Sequence, residues 1–292
     1  MANQLPGPGE VFLDHTAFFV PAIDAAAAAL EACGFRLTTF TVQTNREGGA
    51  TVPSGTGNRC AMFRNGYLEL LTATSETPLA AQLRERIADH AGLHLAAFAT
   101  ADAAAEHRRL GASGFATLPL VDMRRPVATA AGEDFARFTI ARIAHGTMPE
   151  GRTQFLTHHT EHLVWPEAML DHPNGARRRA ALGIAAADPA EPAARFARFT
   201  GRPAAPDGDA VTTIELDRGK LHFARPEWLA DRHGMTIAGT LPSIVAAAIE
   251  VESLHRLEEC LDKAGVGHTG TGSGATVNLP DAVGGALMFH QA

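Results

Sequence analysis

One short phrase recurs four times along the chain of 292 residues: a glycine followed, three residues later, by a polar or soft side chain inside an apolar segment. The four copies are Gly66-Tyr67-Leu68-Glu69-Leu70-Leu71, Gly151-Arg152-Thr153-Gln154-Phe155-Leu156, Gly219-Lys220-Leu221-His222-Phe223 and Gly285-Ala286-Leu287-Met288-Phe289. Each copy ends a segment that begins with an apolar strand and a helix preceded by Asp or Ser. The pattern therefore predicts four diverged copies of one structural unit.

Each unit is predicted to run strand, helix, strand, strand, strand, which makes the fold class α+β. In the first unit, residues 11–20 form a buried strand, Asp24 caps a helix that Gly34 ends, and Arg64-Asn65-Gly66 turns a hairpin. The Gly-, Pro- and Ser-rich residues 47–57 are predicted to be a loop. Asp102, Asp188 and Ser253 are the predicted helix caps of the other three units.

Charge and composition exclude several classes of function. The net charge is -7 and the longest basic run is residues 177–179, so nucleic acid is not an expected partner. The N-terminal residues carry no apolar signal segment, and no stretch is uncharged over the length of a membrane span, so we expect a cytoplasmic protein without a membrane partner. Cys33, Cys60 and Cys260 are scattered, which predicts neither a disulfide framework nor a thiolate zinc site.

Alignment of the units on their helix caps suggests a metal site. His15 lies nine residues before Asp24 and His94 eight before Asp102, while Ala180 and Val245 stand at that position in the other units. The fourth position of the glycine phrase reads Glu69, Gln154, His222 and Met288. The first two units therefore offer two imidazoles, a carboxylate and an amide, a donor set that suits a divalent first-row metal.

We accordingly predict metal ligands at His15, Glu69, His94 and Gln154, with Glu69 also catalytic. The alternative is that the histidines are satisfied core residues and that Glu69 is a paired carboxylate. Gln154 is the weakest donor of the set, and it could instead bind the substrate by hydrogen bonds.

Residues 158–162, His-His-Thr-Glu-His, form a second candidate cluster directly after Gln154. His158 and His162 are predicted catalytic acids or bases at the rim of the pocket, and His159 is predicted to bind substrate. The alternative is a solvated polar loop.

Four polar side chains on the predicted third strands could bind a substrate carboxylate. Asn58 and Arg59 lie on the strand that pairs with Glu69, and Arg137 and Arg142 lie on the matching strand of the second unit. The alternative is that they are surface or strand-edge charges.

The βαβββ order, with Leu13-Asp14-His15-Thr16 in the first strand and Tyr67-Leu68-Glu69-Leu70-Leu71 in the last, resembles the vicinal oxygen chelate superfamily and especially its glyoxalase-like members. The resemblance implies two cups of curved mixed sheet, one from residues 10–165 and a degenerate one from residues 176–292. It places the metal ligands of the first cup at His15, Glu69, His94 and Gln154. An amide at position 154 departs from the carboxylate that moves the substrate proton in glyoxalase I-like members.

The leading functional hypothesis is a glyoxalase-like metalloenzyme, a lyase or isomerase that uses zinc, nickel, manganese or iron on a small, oxygen-rich, metal-chelating molecule. One alternative is a non-haem iron ring-cleaving dioxygenase with His15, His94 and Glu69 as its triad. Another is a binding or sequestering protein, whose pocket would be lined by Phe18, Phe63, Phe98, Phe138 and Phe155. The second cup would stabilise the first or form a homodimer contact.

Overall fold

The structure is a computed structural model that describes residues 4–129 and 132–291. The order βαβββ occurs four times in it, and the strands form two eight-stranded sheets with flanking helices. The predicted α+β class and the two cups are confirmed. No helix in the described ranges has both the length and the apolar character that crossing a bilayer requires.

The first sheet is a closed barrel, the N-terminal barrel, with strand order β1-β4-β3-β2-β6-β7-β8-β5. Its first half comprises β1 (Val11–Phe19), α1 (Ile23–Ala32), β2 (Thr41–Glu47), β3 (Ala50–Met62) and β4 (Tyr67–Ala73). Helix α2 (Pro78–Asp89) leads to the second half, which comprises β5 (Gly92–Thr100), α3 (Ala103–Ala112), β6 (Val121–Thr129), β7 (Gly132–Arg142) and β8 (Arg152–His158).

The second sheet, the C-terminal sheet, has the strand order β10-β11-β12-β9-β13-β16-β15-β14. Helix α4 (Glu161–Val164) and a 3-10 turn (Glu167–Met169) connect the two sheets. The first half comprises β9 (Ala176–Ala185), α5 (Ala190–Thr200), β10 (Ala204–Asp207), β11 (Val211–Glu215) and β12 (Lys220–Ala224). After α6 (Pro226–His233), the second half comprises β13 (Ser243–Val251), α7 (Leu254–Ala264), β14 (Thr269–Gly270), β15 (Gly274–Asn278) and β16 (Ala286–Gln291).

Only one of the two sheets closes. In the barrel, β2 has seven residues and β6 has nine, and they pair with each other through Thr44 and Arg124 and through Asn45 and Met123. The corresponding strands of the C-terminal sheet, β10 and β14, have four and two residues and lie at its two edges. Among the described residues β10 and β14 do not pair with each other, so this sheet keeps two open edges.

The two sheets share one hydrophobic core. Phe199 of α5 stacks on Phe155 of β8 with the ring centres 4.9 Å apart, and it also contacts Phe98 of β5 at 5.8 Å. All three rings are fully buried. The C-terminal sheet and its helices therefore pack against the outer face of the barrel.

The recurring glycine marks a close contact with the first strand of each unit. A Cβ at Gly66, where φ is +72°, would stand 2.2 Å from the carbonyl oxygen of Asp14. The same contact recurs between Gly151 and His94 at 2.6 Å, between Gly219 and Ala180 at 3.2 Å, and between Gly285 and Val245 at 3.2 Å. These contacts and the positive φ of each glycine favour glycine at all four positions, most strongly at Gly66 and Gly151, where a Cβ would overlap the carbonyl oxygen.

These contacts correct the predicted alignment of His15 with His94. In these contacts, the carbonyl group of Asp14 in the first unit corresponds to that of His94 in the second. Both residues are β-bulges, which are left out of the pairing between β1 and β5. His15 lies opposite Tyr67, the first residue of β4, whereas Leu95 lies opposite Arg152, the first residue of β8. The position equivalent to His15 is therefore Leu95.

The misplaced helix start caused this one-residue error. The N-cap of α1 is Ala22, and Asp24 lies inside the first turn. Asp14 stands eight residues before Ala22, as His94 stands eight before the cap Asp102. One other expectation also fails, because residues 47–57 mostly belong to the paired strands β2 and β3 instead of a loop.

Candidate active site in the barrel

A buried carboxylate joins two histidines inside the barrel. Asp14 is fully buried, its Oδ1 accepts a hydrogen bond of 2.6 Å from His15 Nδ1, and its Oδ2 accepts one of 2.8 Å from His158 Nε2. Burial alone would raise the pKa of Asp14, but the charge of His158 and the hydrogen bonds from both rings outweigh it and hold the pKa well below the ordinary value. Because ionised Asp14 is only an acceptor, it fixes the proton of His15 on Nδ1 and leaves Nε2 for chemistry.

The free side of the His15 ring faces Glu69. His15 Nε2 and Glu69 Oε2 are 3.8 Å apart, which is too long for a direct hydrogen bond. The His15 ring is also stacked on Tyr67, with the ring centres 4.4 Å apart and the planes 13° from parallel. Stacking and the bond to Asp14 together fix the orientation of the imidazole.

Two amides hold the other oxygen of Glu69. Its Oε1 accepts hydrogen bonds from Asn58 Nδ2 at 2.6 Å and from Gln43 Nε2 at 3.2 Å. Gln43 is held in turn by Thr56, whose hydroxyl donates to Gln43 Oε1 at 2.6 Å. The buried Asn58 Oδ1 has no partner among the described residues, so it is available to a ligand that donates a hydrogen bond.

Three arginines line the same pocket. Arg125, Arg142 and Arg152 surround it together with His15 and Glu69. Burial, and after it the positive charge of Arg142, lowers the pKa of Arg152 to about 10, while the charge of Glu69 opposes the shift. Arg152 therefore remains a cation at neutral pH, and the arginines together outnumber the pocket's single ionisable carboxylate, Glu69. The pocket suits an anion.

A wider cavity, the vestibule, adjoins the pocket and shares lining residues with it. The deep part, next to His15, has a volume of about 50 Å³, and the adjoining space has about 430 Å³. Arg142 and Arg152 line both parts, and the vestibule walls include Phe19, Val52 and Leu118. A ligand could therefore place only a few atoms beside His15 and its remainder in the vestibule.

One residue of the C-terminal sheet reaches the site. The side chain of Arg179, on β9, is buried, and a Cβ at Gly66 would lie 3.2 Å from its Nη2. Burial lowers the pKa of Arg179 to about 9, while the negative charge of Asp14 opposes the shift. No described residue accepts a hydrogen bond from the guanidinium, so Arg179 interacts with Asp14 through its positive charge.

The structure brings together six of the polar residues predicted from the sequence. His15, Glu69, Asn58 and Gln154 face the deep pocket, and His158 supports His15 through Asp14. Arg142, on the same strand as Arg137, also lines the pocket.

The other predicted residues lie elsewhere. Arg59 binds Thr38 O and Glu31 beside α1, and Arg137 is exposed. His159 is exposed and bonded to Thr139, and His162 is exposed on α4. Of the five phenylalanines proposed as a pocket lining, Phe138 lines the site, whereas Phe18, Phe63, Phe98 and Phe155 belong to the hydrophobic core.

His94 lies on the other side of the barrel wall. Its Nε2 donates a hydrogen bond of 2.9 Å to the carbonyl oxygen of His90, and its ring packs against His90 in a cleft that Thr240 and Pro242 of the C-terminal half also line. Burial lowers the pKa of His94 to about 4, so the ring is neutral at neutral pH. His94 therefore does not join His15 and Glu69.

Sequence reasoning missed Asp14, Gln43, Tyr67, Arg125 and Arg152 as parts of the site. Strand alternation could have identified two of them, because Tyr67 precedes Glu69 by two residues and Arg152 precedes Gln154 by two. Asp14 breaks the alternation because it is a bulge residue, and bulges often re-aim a side chain.

The chain matches the family model described as "Glyoxalase-like domain" over residues 13–200. This match covers more than half of the sequence. The chain belongs to the glyoxalase-like domain family. No curated protein matches the sequence.

Solved structures share the whole fold of this glyoxalase-like protein. A hypothetical protein from Staphylococcus aureus superposes with a TM-score of 0.67 at 10% identity, covering 97% of this chain and 100% of its own. A mutant of 4-hydroxymandelate synthase from Streptomyces coelicolor gives 0.57 at 12% identity, covering 98% and 93%. A xylose isomerase-like TIM barrel/4-hydroxyphenylpyruvate dioxygenase fusion protein gives 0.58 at 12% identity, covering 99% of this chain and 50% of its own. At these identities the likeness establishes the fold.

The fold family implies a divalent metal, but the donor set of this pocket does not fit one. Of the four predicted ligands, His15, Glu69 and Gln154 face the pocket, and Leu95 occupies the fourth equivalent position. In the described ranges, no group of three or more His, Cys, Asp and Glu side chains is arranged to hold a metal ion. The neighbouring arginines would also repel a divalent cation.

Proposed function

We propose that the N-terminal barrel is the active site of an enzyme that moves a proton on a small organic anion, with lyase or isomerase chemistry. The observation that carries the proposal is the buried pair of Asp14 and His15, whose free Nε2 faces Glu69 in a pocket lined by arginines. A histidine that a carboxylate orients at one nitrogen is a general base at the other.

In the proposed step, His15 Nε2 removes a proton from the carbon next to a carbonyl group of the substrate. The C–H bond breaks, and its electron pair forms an enolate whose oxygen is stabilised by the guanidinium of Arg152. The proton on Nε2 then returns to a neighbouring atom, which completes an isomerisation, or joins a hydroxyl group on the next carbon, which leaves as water. Ionised Asp14 stabilises the imidazolium, and Glu69 is placed to carry a second proton.

The pocket dimensions support a substrate with a compact reacting end. The deep part holds only a few non-hydrogen atoms, such as a carbonyl group and its neighbours, while the vestibule has room for a larger remainder. Arg142 and Arg152 lie where the two parts join, so a carboxylate there would accept paired hydrogen bonds. Small 2-oxo acids meet these requirements.

The test is hydrogen–deuterium exchange of pyruvate, 2-oxobutyrate and phenylpyruvate in D₂O, followed by proton NMR. We expect the protein to accelerate exchange at the carbon next to the carbonyl group. His15→Gln and Glu69→Gln should each slow the exchange by about 100-fold or more. His159→Asn is the matched control, because this exposed histidine adjoins the site in sequence and not in space.

Two results would overturn the proposal. Exchange that disappears on chelation and returns with a divalent metal would support metal-dependent chemistry at these residues instead. Tight binding of the acids without exchange would support a sequestering protein.

A further inference from the structure

The concave face of the C-terminal sheet encloses a second cavity, of about 380 Å³. Small residues line its strands: Ala181 and Gly183 on β9 and Ala248 on β13. Ala181 lies opposite Lys220, the first residue of β12, so it occupies the position that His15 has in the barrel. Replacing a large inward side chain by a methyl group leaves space, and Trp228 and Leu229 of α6 border this space.

One histidine in this cavity has a defined hydrogen-bonding direction. Thr213 Oγ1 donates to Asp207 Oδ2 at 3.2 Å, and the same oxygen lies 2.8 Å from His222 Nδ1. Because the threonine hydroxyl has one proton to give, the Nδ1 of His222 must be the donor in the second bond. Burial lowers the pKa of His222, so the ring is neutral and its Nε2 is an acceptor.

A second polar atom in the cavity has no partner. Thr276 is buried on β15, and none of the described residues forms a hydrogen bond with its Oγ1. A buried hydroxyl without a partner costs about 1–3 kcal/mol, which a ligand could recover. His222 and Thr276 therefore supply one acceptor and one adaptable hydroxyl to an otherwise mostly apolar space.

The charges around the cavity do not favour an ion. Its charged side chains are Asp207 and Lys220, and Lys220 Nζ lies 2.8 Å from Glu215. The other titratable groups that line it, His233 and His290, have pKa values lowered by burial and are neutral at neutral pH. This differs from the barrel pocket, where arginines dominate.

We propose that this cavity is a second ligand site, separate from the barrel pocket, for a small neutral molecule that has an apolar ring and one hydroxyl group. The hydroxyl donates to His222 Nε2. The ring lies among the small residues of β9 and β13, beside Trp228.

The test is calorimetric titration of the full-length protein with 4-ethylphenol, 4-ethylanisole and 4-ethylbenzoate. The phenol should bind with one-to-one stoichiometry, at least about fivefold more tightly than the anisole, which cannot donate, because one buried hydrogen bond is worth about 1 kcal/mol or more. The benzoate should not compete with the phenol.

Variants assign the site. His222→Phe keeps the ring and removes the acceptor, so it should weaken phenol binding at least tenfold while leaving anisole binding unchanged. Ala248→Leu should block both ligands by filling the space, and Glu69→Gln, in the barrel, should change neither. If Ala248→Leu unfolds, Ala181→Leu, at another small residue that lines the cavity, serves in its place and should block both ligands.

The proposal is wrong if the wild-type protein binds no phenol at millimolar concentration. It is equally wrong if His222→Phe leaves the preference for phenol over anisole intact, or if Glu69→Gln abolishes binding. None of these outcomes depends on proton exchange in the barrel.

Discussion

The N-terminal barrel and the C-terminal sheet have the same order of elements but differ in what they enclose. The barrel is closed by the pairing of β2 with β6, and its interior is filled by large and charged side chains. The C-terminal sheet stays open, with the short strands β10 and β14 at its edges, and small side chains leave its concave face hollow. One backbone plan thus yields a charged, tight pocket and a mostly neutral, wide one, through differences in strand pairing and in the size and charge of the side chains.

The largest effect is expected from removing the buried charge of Asp14, which should affect the barrel and not the C-terminal sheet. Asp14→Asn keeps the shape and removes the ionised acceptor of His15 and His158, so proton exchange should fall by about 10³-fold, close to the cost of losing the orienting carboxylate of a catalytic histidine. Phenol binding in the C-terminal sheet should not change. An Asp14→Asn protein with nearly full exchange activity would show that the pair is structural.

The same variant should alter the dependence of stability on pH. The pKa of Asp14 is lowered in the folded chain, so its contribution to stability is present above the ordinary value of 3.8 and is lost as the pH falls below it. Denaturant titrations should therefore show a large difference between wild type and Asp14→Asn at pH 7 and a smaller one at pH 3.

The glycine contacts give the next largest effect. Gly66→Ala would place a Cβ 2.2 Å from the carbonyl oxygen of Asp14 and should cost more than about 3 kcal/mol. Gly219→Ala, its counterpart in the C-terminal sheet, has 3.2 Å to Ala180 and should cost about 1 kcal/mol. Urea unfolding of the two variants measures the difference, and equal costs would mean that the backbone relaxes equally in both sheets.

A smaller effect concerns the anion. Arg152→Met should weaken 2-oxo acid binding by about 10- to 100-fold, since it removes one charge-assisted contact. Because the pKa of Arg152 is about 10, wild-type affinity should decrease as the pH rises through 10, and the variant should lack this decrease. Arg137→Met, an exposed change on β7, is the matched control in calorimetry.

The smallest effect lies in the cleft between the two regions. The pKa of His94 is about 4 in the folded chain against an ordinary 6.5, so the unfolded chain takes up the proton first and stability falls as the pH drops from 6.5 to 4. His94→Gln should lose about 2 kcal/mol less than wild type over this range. His107→Gln, at a half-buried histidine on α3 bonded to Leu118 O, is the control and should keep the wild-type slope.

The sequence predicted the architecture well because its signals were local and strong. The Asn65-Gly66 turn, the glycine phrase and the alternation around Glu69 and Gln154 each depend on a few neighbouring residues. His94 was misplaced because a bulge shifts a strand by one residue, and one residue reverses the face of every side chain. The helix start at Ala22 carries no capping side chain, so no local signal could correct the shift.

Two arginines of the pocket were harder to predict for a different reason. Arg125 and Arg152 lie on β6 and β8 of the second half, and they meet Glu69 of β4 only when the barrel closes. Arg59 is also an arginine on a barrel strand, and yet its side chain turns outward and binds Glu31. Alternation along a strand indicates which side chains share a face. It does not indicate which strands of the two halves meet, because that depends on pairing between residues far apart in the sequence.

Arg179 limits where the chain could be cut to obtain the barrel as a separate fragment. The barrel contains every residue that faces the deep pocket, yet the cation beside Asp14 comes from β9, the first strand of the other sheet. The match to the glyoxalase-like family also continues past the barrel to residue 200, through β9 and α5. A transplantable module built from the barrel of this chain would therefore have to include β9, because a fragment cut at the end of the barrel would keep the side chains of the candidate active site and lose a counter-charge.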